Sequence, residues 1–348
     1  MKALVKYSQE DGAAEIRDVP ECQIQSPEEV KIKIQKTAIC GTDIKVLHGR
    51  DQMFRPPVIM GHEFSGIVVE TGKEVSRLTA GDQVVVEPTV KICGQCRYCR
   101  GGSYNLCSHR LIAGFSAPGS FTEYAVRNEK FVHKLPGGVD LAAGALGEPL
   151  AVSVHAALER SRILPGDVVV ITGPGTTGLL ITQIAAAAGG RVLMVGTAAD
   201  ADRLNIACQI GAEHTFAIQT QKPLLVNTVQ ELTSGYGADL VFECSGVETA
   251  ANLYLELSSK QGQYIQVGIF AGKNVSINLD TLCYREISLV GTFSQKPSAW
   301  KKALELLHTG KIHLSPLLGP TLPLSDWKKG FALMEKRQAV KVLFDPIF

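Results

Sequence analysis

Hydrophobic and polar side chains alternate in short runs through the first 150 residues. A period of two is typical of half-buried β-strands, and these runs are rich in Val, Ile and Thr and are divided by turn residues. The predicted strands are KALVKY, EVKIKIQKTA, FSGIVVETG, GDQVVVEP and SFTEYAV. This part of the chain is therefore predicted to be all-β, with a cysteine-rich loop inserted.

The pattern changes after Pro149, where nearly continuous apolar runs alternate with helical periodicity. DVVVIT leads through a glycine turn into the helix LLITQIAAAA and a second strand, RVLMV. Further strands are predicted at HTFAI, DLVFECSG, GQYIQVGIF and ISLVGTF, with helices at LAVSVHAALERSRIL, ADRLNIACQIGA, TAANLYLELSSKQG and SAWKKALELLHTG. Apolar strands that alternate with helices indicate a doubly wound parallel sheet, so the fold class is α/β.

Length and charge restrict the classes of partner. The 348 residues correspond to two domains at about 150 residues each, and 45% of them are hydrophobic. The net charge is +1 with both signs interleaved, which argues against a nucleic-acid surface or a polybasic membrane patch. We expect a small-molecule partner, no nucleic acid and no membrane. The N-terminal MKALVKYSQEDG lacks the apolar core of a signal peptide, so a cytoplasmic location is predicted.

Four of the nine cysteines, Cys93, Cys96, Cys99 and Cys107, occur in the stretch CGQCRYCRGGSYNLC. A reducing cytosol disfavours disulfides. The spacing also differs from the ferredoxin pattern, because seven residues separate the last two cysteines and Ser108 follows. Four thiolates can close a tetrahedral shell around a structural Zn²⁺. The alternative is a loop with four unliganded thiols.

The glycine turn has the spacing G-x-G-x-x-G between a strand and a helix, which is the context of a dinucleotide-binding fingerprint. Its glycines allow a tight turn, a close approach of the backbone to a pyrophosphate, and close packing of helix on strand. A glycine-rich turn that binds nothing is the alternative. The predicted cofactor-binding residues of the turn are Gly173, Gly175, Thr176, Thr177 and Gly178.

The position that should read the cofactor ribose lacks the acidic residue typical of NAD-binding proteins. The second strand ends in Gly196 and Thr197, and Asp200 and Asp202 come only later. Arg203 is the cation nearest to this position in the sequence. It would either bind the 2′-phosphate of NADP or be a solvated charge on the face of a helix. NAD and NADP are both left open as the cofactor.

Three further stretches carry chemistry: ICGTD with Cys40, MGHEFSG with His62 and Glu63, and GEPLAVSVH with Glu148. Each residue alone is more typical of a structural role. Together they supply a thiolate, an imidazole and carboxylates to one β-rich region. Three protein ligands and an open position are the catalytic form of zinc, whereas the four-cysteine loop has the structural form.

The chain resembles the zinc-dependent medium-chain alcohol and polyol dehydrogenases, the sorbitol (L-iditol) dehydrogenase and L-threonine 3-dehydrogenase branch. The resemblance covers essentially the whole chain. It rests on motifs in the family's order: CGTD at 40, GHE-x-x-G at 61 to 66, GD-x-V at 81 to 84, the cysteine loop, EPL at 148 to 150 and the glycine fingerprint.

This resemblance implies two domains and two zinc ions. Residues 1–151, completed by 293–348, would form a GroES-like β-barrel catalytic domain, and residues 152–292 a Rossmann nucleotide-binding domain. One structural Zn²⁺ would sit in the cysteine loop and one catalytic Zn²⁺ in the first domain. By the same resemblance we expect a homodimer or a homotetramer.

The resemblance also implies roles for individual residues. Cys40, His62 and Glu63 would hold the catalytic zinc, with Glu148 as a second-shell partner or alternate ligand. The zinc would make a secondary alcohol acidic, and hydride would pass to C4 of the nicotinamide. The hydroxyl of Thr42 would carry the proton away, or alternatively serve as a cap or turn hydroxyl.

Two features depart from the family pattern. Lys45 stands where the proton relay commonly continues to a histidine. Ser294 and Gln295 stand where sorbitol dehydrogenases carry an Arg-Tyr pair, which disfavours sorbitol itself. Phe115 would line the substrate pocket or belong to the core.

The sequence thus predicts a zinc- and NAD(P)-dependent oxidoreductase that acts on a polyol or sugar-derived alcohol. An L-threonine 3-dehydrogenase-like enzyme is the first alternative, and a cofactor-binding regulatory protein without turnover is the second. A zinc-free relative of the quinone-reductase kind would lack both the Cys40–His62 pair and the cysteine loop.

Overall fold

The alternating and continuous apolar patterns form strands in a computed structural model of the chain, which describes residues 1–51, 53–270 and 272–348, without the side chains of 249 and 250. The chain folds into two compact units, Met1–Glu148 with Leu318–Phe348, and Pro149–Leu317. The sequence predicted domain boundaries at 151/152 and 292/293. In the structure the chain returns to the first unit at Leu318, later than predicted.

The elements are as follows in chain order. The chain begins with β1 (Lys2–Lys6), β2 (Ala14–Asp18), β3 (Glu29–Ala38), α1 (Gly41–Leu47), β4 (Val58–Ile59), β5 (Glu63–Thr71), β6 (Gln83–Val86), β7 (Thr89–Lys91), α2 (Arg97–Arg100), β8 (Leu111–Ile112), β9 (Tyr124–Asn128), β10 (Val132–Lys134) and α3 (Leu141–Gly144). It continues with α4 (Gly147–Val154), β11 (Val168–Thr172), α5 (Thr176–Ala187), β12 (Arg191–Gly196), α6 (Ala201–Gln209), β13 (Ala212–Ala217), α7 (Ile218–Leu232), β14 (Ala238–Glu243), α8 (Glu248–Leu257), β15 (Ser258–Gln266), α9 (Leu279–Arg285), β16 (Ser288–Gly291) and α10 (Pro297–His308). The last elements are β17 (Thr321–Pro323), α11 (Trp327–Glu335) and β18 (Leu343–Asp345).

Two main sheets build the first unit, which confirms the predicted strands, although the short helices α1, α2 and α3 show that the region is not all-β. The smaller sheet has the order β2-β1-β4, and the larger has the order β10-β6-β5-β3-β18-β17, with β9 also paired to β3. Strand β3 therefore lies between β5 and β18, antiparallel to both. Phe121 packs edge-to-face on Phe331 and Phe344, which ties the C-terminal α11 and β18 into this core.

A six-stranded sheet with the order β13-β12-β11-β14-β15-β16 builds the second unit, and all its neighbours are parallel. In the unit's own numbering this is 3-2-1-4-5-6, the doubly wound order of dinucleotide-binding domains. It confirms the predicted parallel α/β sheet. Residues Ser258 to Gly262, which the sequence placed in a helix, belong to β15. Within the described residues, no helix has the length and hydrophobicity needed to cross a membrane.

Candidate metal and cofactor sites

Cys40, His62 and Glu63 come together in the first unit because of strand pairing. Ala38, at the end of β3, pairs with Glu63, the first residue of β5. Cys40 follows β3 by two residues and His62 precedes β5 by one, so both reach the same place. The three ligand atoms lie within 4.8 Å of one another, and His62 and Glu63 are buried. A thiolate, an imidazole and a carboxylate are donors that suit zinc, and three of them leave a position open.

Asp43 orients the ring of His62. One carboxylate oxygen accepts a hydrogen bond from the backbone N–H of Cys40 at 2.8 Å, and the other lies 3.3 Å from Nδ1 of His62. A carboxylate on Nδ1 leaves Nε2 for a metal and fixes the orientation of the ring, as is usual for a histidine that binds zinc. The sequence interpretation missed Asp43, although CGTD contains it.

Lys341 binds the carboxylate of Glu63. Its Nζ lies 3.0 and 2.7 Å from the two oxygens and also donates to the carbonyl of Ile39 at 3.0 Å. Burial lowers the pKa of Lys341, but Glu63 and Cys40 outweigh burial and raise it above its ordinary value. The sequence interpretation missed this residue as well, because 278 positions separate it from Glu63.

Glu148 is buried in the same unit but lies outside the 4.8 Å group of Cys40, His62 and Glu63. Burial and the neighbouring Glu63 together raise its pKa to about 7, against the opposing charges of His62, Lys341 and Arg110. Burial lowers the pKa of His62, yet Asp43 and Cys40 raise it well above its ordinary value. Anionic groups thus concentrate around a buried spot, as a bound cation would require.

Three other residues named from the sequence, Thr42, Phe115 and Lys45, lie near His62 or on helix α1 beside it. The hydroxyl of Thr42 is 3.4 Å from Nε2 of His62, and the buried ring of Phe115 is centred 5.3 Å from the His62 ring. Lys45 follows Thr42 by three residues on α1 and is half-buried. Residues three apart on a helix are neighbours, so Thr42 and Lys45 share a face.

The cysteine loop gathers its four thiols. Their sulfurs lie within 4.8 Å of one another, with Sγ–Sγ distances of 3.9 Å for Cys93–Cys99 and 3.6 Å for Cys107–Cys93. A disulfide has a length of about 2.05 Å, so these are free thiols. Backbone N–H groups of Cys96 and Gln95 lower the pKa of Cys93 to about 6, whereas burial raises that of Cys99 to about 12. The donor set fits a closed four-thiolate zinc site.

A buried carboxylate, Glu87, anchors this loop. It accepts hydrogen bonds from the Tyr104 hydroxyl at 2.7 and 2.8 Å, and Nε2 of His133 lies 2.9 Å away. Arg110 donates from Nε to the Thr89 hydroxyl at 2.9 Å. These residues were also missed, because no short motif signals a partner of a metal loop.

The glycine turn of the second unit has the geometry that its spacing predicts. Gly173 has φ of +83°, and its N–H donates to Val195 at 2.8 Å. Gly175 caps α5, and a Cβ on Gly178 would lie 2.2 Å from the Gly173 carbonyl oxygen. Thr176 and Thr177 open α5, and the first turn of a helix presents backbone N–H groups that can bind a phosphate.

The segment that follows β12 contains a carboxylate, Asp200, that accepts hydrogen bonds from Thr197. Thr197 donates to Asp200 from its N–H at 3.0 Å and its hydroxyl at 2.6 Å. Asp200 is buried, and Nη1 of Arg203 lies 3.9 Å from its other oxygen. Strand β12 itself ends at Gly196 without a carboxylate. Elsewhere in this unit, Ser294 donates to Oε1 of the buried Gln295 at 2.7 Å.

Comparison with known proteins assigns both units. Residues 26–137 match the family model of the alcohol dehydrogenase GroES-like domain, and residues 176–309 match that of zinc-binding dehydrogenases. The chain belongs to the zinc-dependent medium-chain dehydrogenases. The enzyme is therefore an oxidoreductase whose cofactors are zinc and NAD(P). The predicted GroES-like and Rossmann fold is confirmed.

Several relatives are similar over almost their whole length. The chain is 42% identical to a sorbitol dehydrogenase of Halalkalibacterium halodurans, with 100% of both chains covered. It is 39% identical to a D-arabitol-phosphate dehydrogenase of Enterococcus avium (94% and 92% covered) and 35% identical to an L-threonine 3-dehydrogenase of Bacillus velezensis (99% of both). The structure of a zinc-binding dehydrogenase from Sinorhizobium meliloti bound to NADP is 30% identical, with a TM-score of 0.88 and 99% of both chains covered.

Proposed function

We propose that this dehydrogenase transfers hydride between NAD(P) and the secondary hydroxyl of a polyol or sugar-derived alcohol, with Cys40, His62 and Glu63 as ligands of the catalytic zinc. The cluster of these three donors carries the proposal. The names of the sorbitol and arabitol-phosphate dehydrogenases support this class of substrate. Glu148 is proposed either as a neighbour that contacts the zinc ligands or as an alternate ligand.

Each residue of the site would have a defined task. When bound, the zinc supplies Lewis acidity that makes an alcohol easier to deprotonate. Asp43 fixes the ring of His62, and Lys341 fixes the carboxylate of Glu63. The hydroxyl of Thr42 takes the alcohol proton and passes it to Lys45 or to water. Bound NAD(P) would supply the hydride acceptor: loss of one proton from the hydroxyl oxygen and one hydride from the carbon that bears it would convert the alcohol to a ketone and NAD(P)⁺ to NAD(P)H.

A substrate panel tests this proposal. Zinc-loaded enzyme would be assayed with sorbitol, xylitol, arabitol, arabitol phosphate and L-threonine, with NAD and NADP separately, by the absorbance of the reduced nicotinamide. We expect turnover with at least one polyol or polyol phosphate. Turnover with L-threonine alone would favour the alternative enzyme, which the 35% identical relative supports. No turnover with any substrate would contradict the proposal.

We further propose that the enzyme is a homodimer or homotetramer. Strand β16 is at the edge of the six-stranded sheet, where Leu289 is 43% exposed, and Tyr284 on the preceding α9 is 82% exposed. An uncovered edge strand with apolar side chains favours pairing with another chain. Sedimentation at micromolar concentration would give the oligomeric state, and a monomer would contradict the proposal.

A further inference from the structure

Glu243 lies at the point where the strand order of the second unit reverses. It is the last residue of β14, and it pairs with Thr172, the last residue of β11. In the order 3-2-1-4-5-6, these strands are the first and the fourth, and dinucleotides bind at the carboxyl ends of the strands beside this switch point. The Thr172 hydroxyl donates to the Glu243 carboxylate at 3.2 Å.

The carboxylate of Glu243 is completely buried and is surrounded by hydrogen-bond donors. Oε1 accepts from the N–H groups of Ser245 at 2.8 Å and Gly246 at 3.0 Å and from the Ser245 hydroxyl, and Oε2 accepts from Nε2 of Gln266 at 2.7 Å. All the donors that the described residues supply are uncharged. Several aligned donors of this kind make strong and directional hydrogen bonds to a carboxylate, so they fix its position.

This arrangement fixes the segment on which the glycine turn rests. A Cβ on Gly173 would lie 2.9 Å from both Cα and N of Ser245, so the two backbones are in direct contact. A Cβ on Gly268 would lie 2.4 Å from N of Gly246 and 2.7 Å from Oε2 of Glu243. The loops after β11, β14 and β15 therefore meet around one carboxylate with no room for a side chain between them.

We infer that Glu243 is a positioning residue for the cofactor, because its carboxylate holds the Ser245–Gly246 segment that supports the phosphate-facing glycine turn. This role depends on the NAD(P) cofactor and not on the alcohol substrate proposed above. Glu243 does not itself need to touch the cofactor. Its loss should weaken binding of the pyrophosphate, which the turn faces, more than binding of adenosine.

The variant Glu243→Gln keeps the shape of the side chain but replaces one carboxylate oxygen, an acceptor, by an amide NH₂, a donor. This NH₂ would face the N–H or NH₂ groups that now donate to the carboxylate. Gln266 cannot turn to accept from this amide without losing its hydrogen bond to the Gly268 carbonyl at 2.7 Å. Because the mismatched amide would loosen the segment that supports the glycine turn, Kd for NADH and NADPH should rise about tenfold. Cofactor fluorescence measures Kd without substrate or turnover, and ADP and adenosine serve as competing probes.

Glu231→Gln is the matched control, because it removes an exposed carboxylate from α7 in the same unit. It should leave every Kd unchanged. A folded Glu243→Gln with unchanged Kd for NADH would overturn the inference, and so would equal losses for ADP and adenosine. If that variant does not fold, Thr172→Val and Ser245→Ala each remove one donor, and Kd should rise about threefold. Unchanged Kd in both would overturn the inference.

Discussion

At the scale of single residues, the buried pair of Lys341 and Glu63 decides the charge balance of the metal site. Lysine is rarely buried completely, and here its ammonium faces a carboxylate that the zinc would also attract. A cation on one side of Glu63 and a metal on the other would share its charge. Lys341 therefore holds the Glu63 carboxylate in position in the metal-free protein.

Replacement of this lysine gives a first prediction. Lys341→Met leaves the Glu63 charge buried and unpaired, which typically costs about 3–5 kcal/mol. We expect that loss in the free energy of unfolding of metal-free protein, measured in denaturant, and a smaller loss once zinc is bound. Lys341→Arg should recover most of the stability. Equal losses with and without zinc would contradict the shared role.

A second prediction concerns Cys40. Cys40→Ser should remove about one zinc per subunit, measured by elemental analysis, and abolish turnover, because one of three donors is lost. Circular dichroism should show an unchanged fold. Cys208→Ser, at an exposed free thiol, is the control and should keep its zinc and its activity. Full activity of Cys40→Ser would refute the assignment of the ligand.

The sequence could predict those residues of the site that stand in compact motifs. Cys40, His62 and Glu63 occur in CGTD and GHE, where residue type alone indicates a metal ligand. Lys341 could not be predicted this way, because it reaches the site only through the pairing of β18 with β3. Glu243 resembles any acid at a strand end until its donors are seen.

At the scale of elements, the cysteine loop is a separate stabilising part of the first unit. A structural zinc contributes folding energy directly. Cys96→Ser should lower the melting temperature by several degrees, since each 1 kcal/mol of lost stability shifts Tm by about 2–4 °C in chains of about 150–250 residues. Calorimetry would check this, with the exposed Cys283→Ser as control. An unchanged melting temperature would contradict a structural role for the metal in the loop.

Helix α1, which follows Cys40, is held at its C-terminal end by a pH-dependent contact. His48 lies 2.6 Å from Asp11 and 2.5 Å from Glu335 on α11, and these carboxylates raise the pKa of His48. Asp11 has a lowered pKa, chiefly because of His48, with Arg50 and Lys6 nearby.

This contact gives a prediction with a definite sign. A histidine whose pKa is raised on folding stabilises the protein fully below its unfolded pKa of about 6.5, and the contribution is lost as pH rises through the folded value. His48→Gln should therefore lower the melting temperature clearly at pH 6 and little at pH 9. A difference independent of pH would contradict the charged contact.

At the scale of the whole molecule, the periodicity of the sequence was enough for the class of both units. Continuous apolar strands such as VVVIT are buried on both faces of the parallel sheet, whereas in the alternating strand EVKIKIQKTA the apolar Val30, Ile32 and Ile34 are buried and Lys33 is exposed. The limits of the units were harder to predict. Helix α10 belongs to the second unit, and its amphipathic pattern does not specify which core it covers.

The first unit is assembled from two distant parts of the chain, and this has a consequence for biosynthesis. Lys341 and β18 leave the ribosome only after all of residues 149–317 have been translated. Lys341, the charge partner of Glu63, and β18, a sheet neighbour of β3, are therefore absent when the first 148 residues have been synthesised. A nascent chain should complete its own nucleotide-binding sheet before it can close the zinc site, so metal capture there is a late event in maturation.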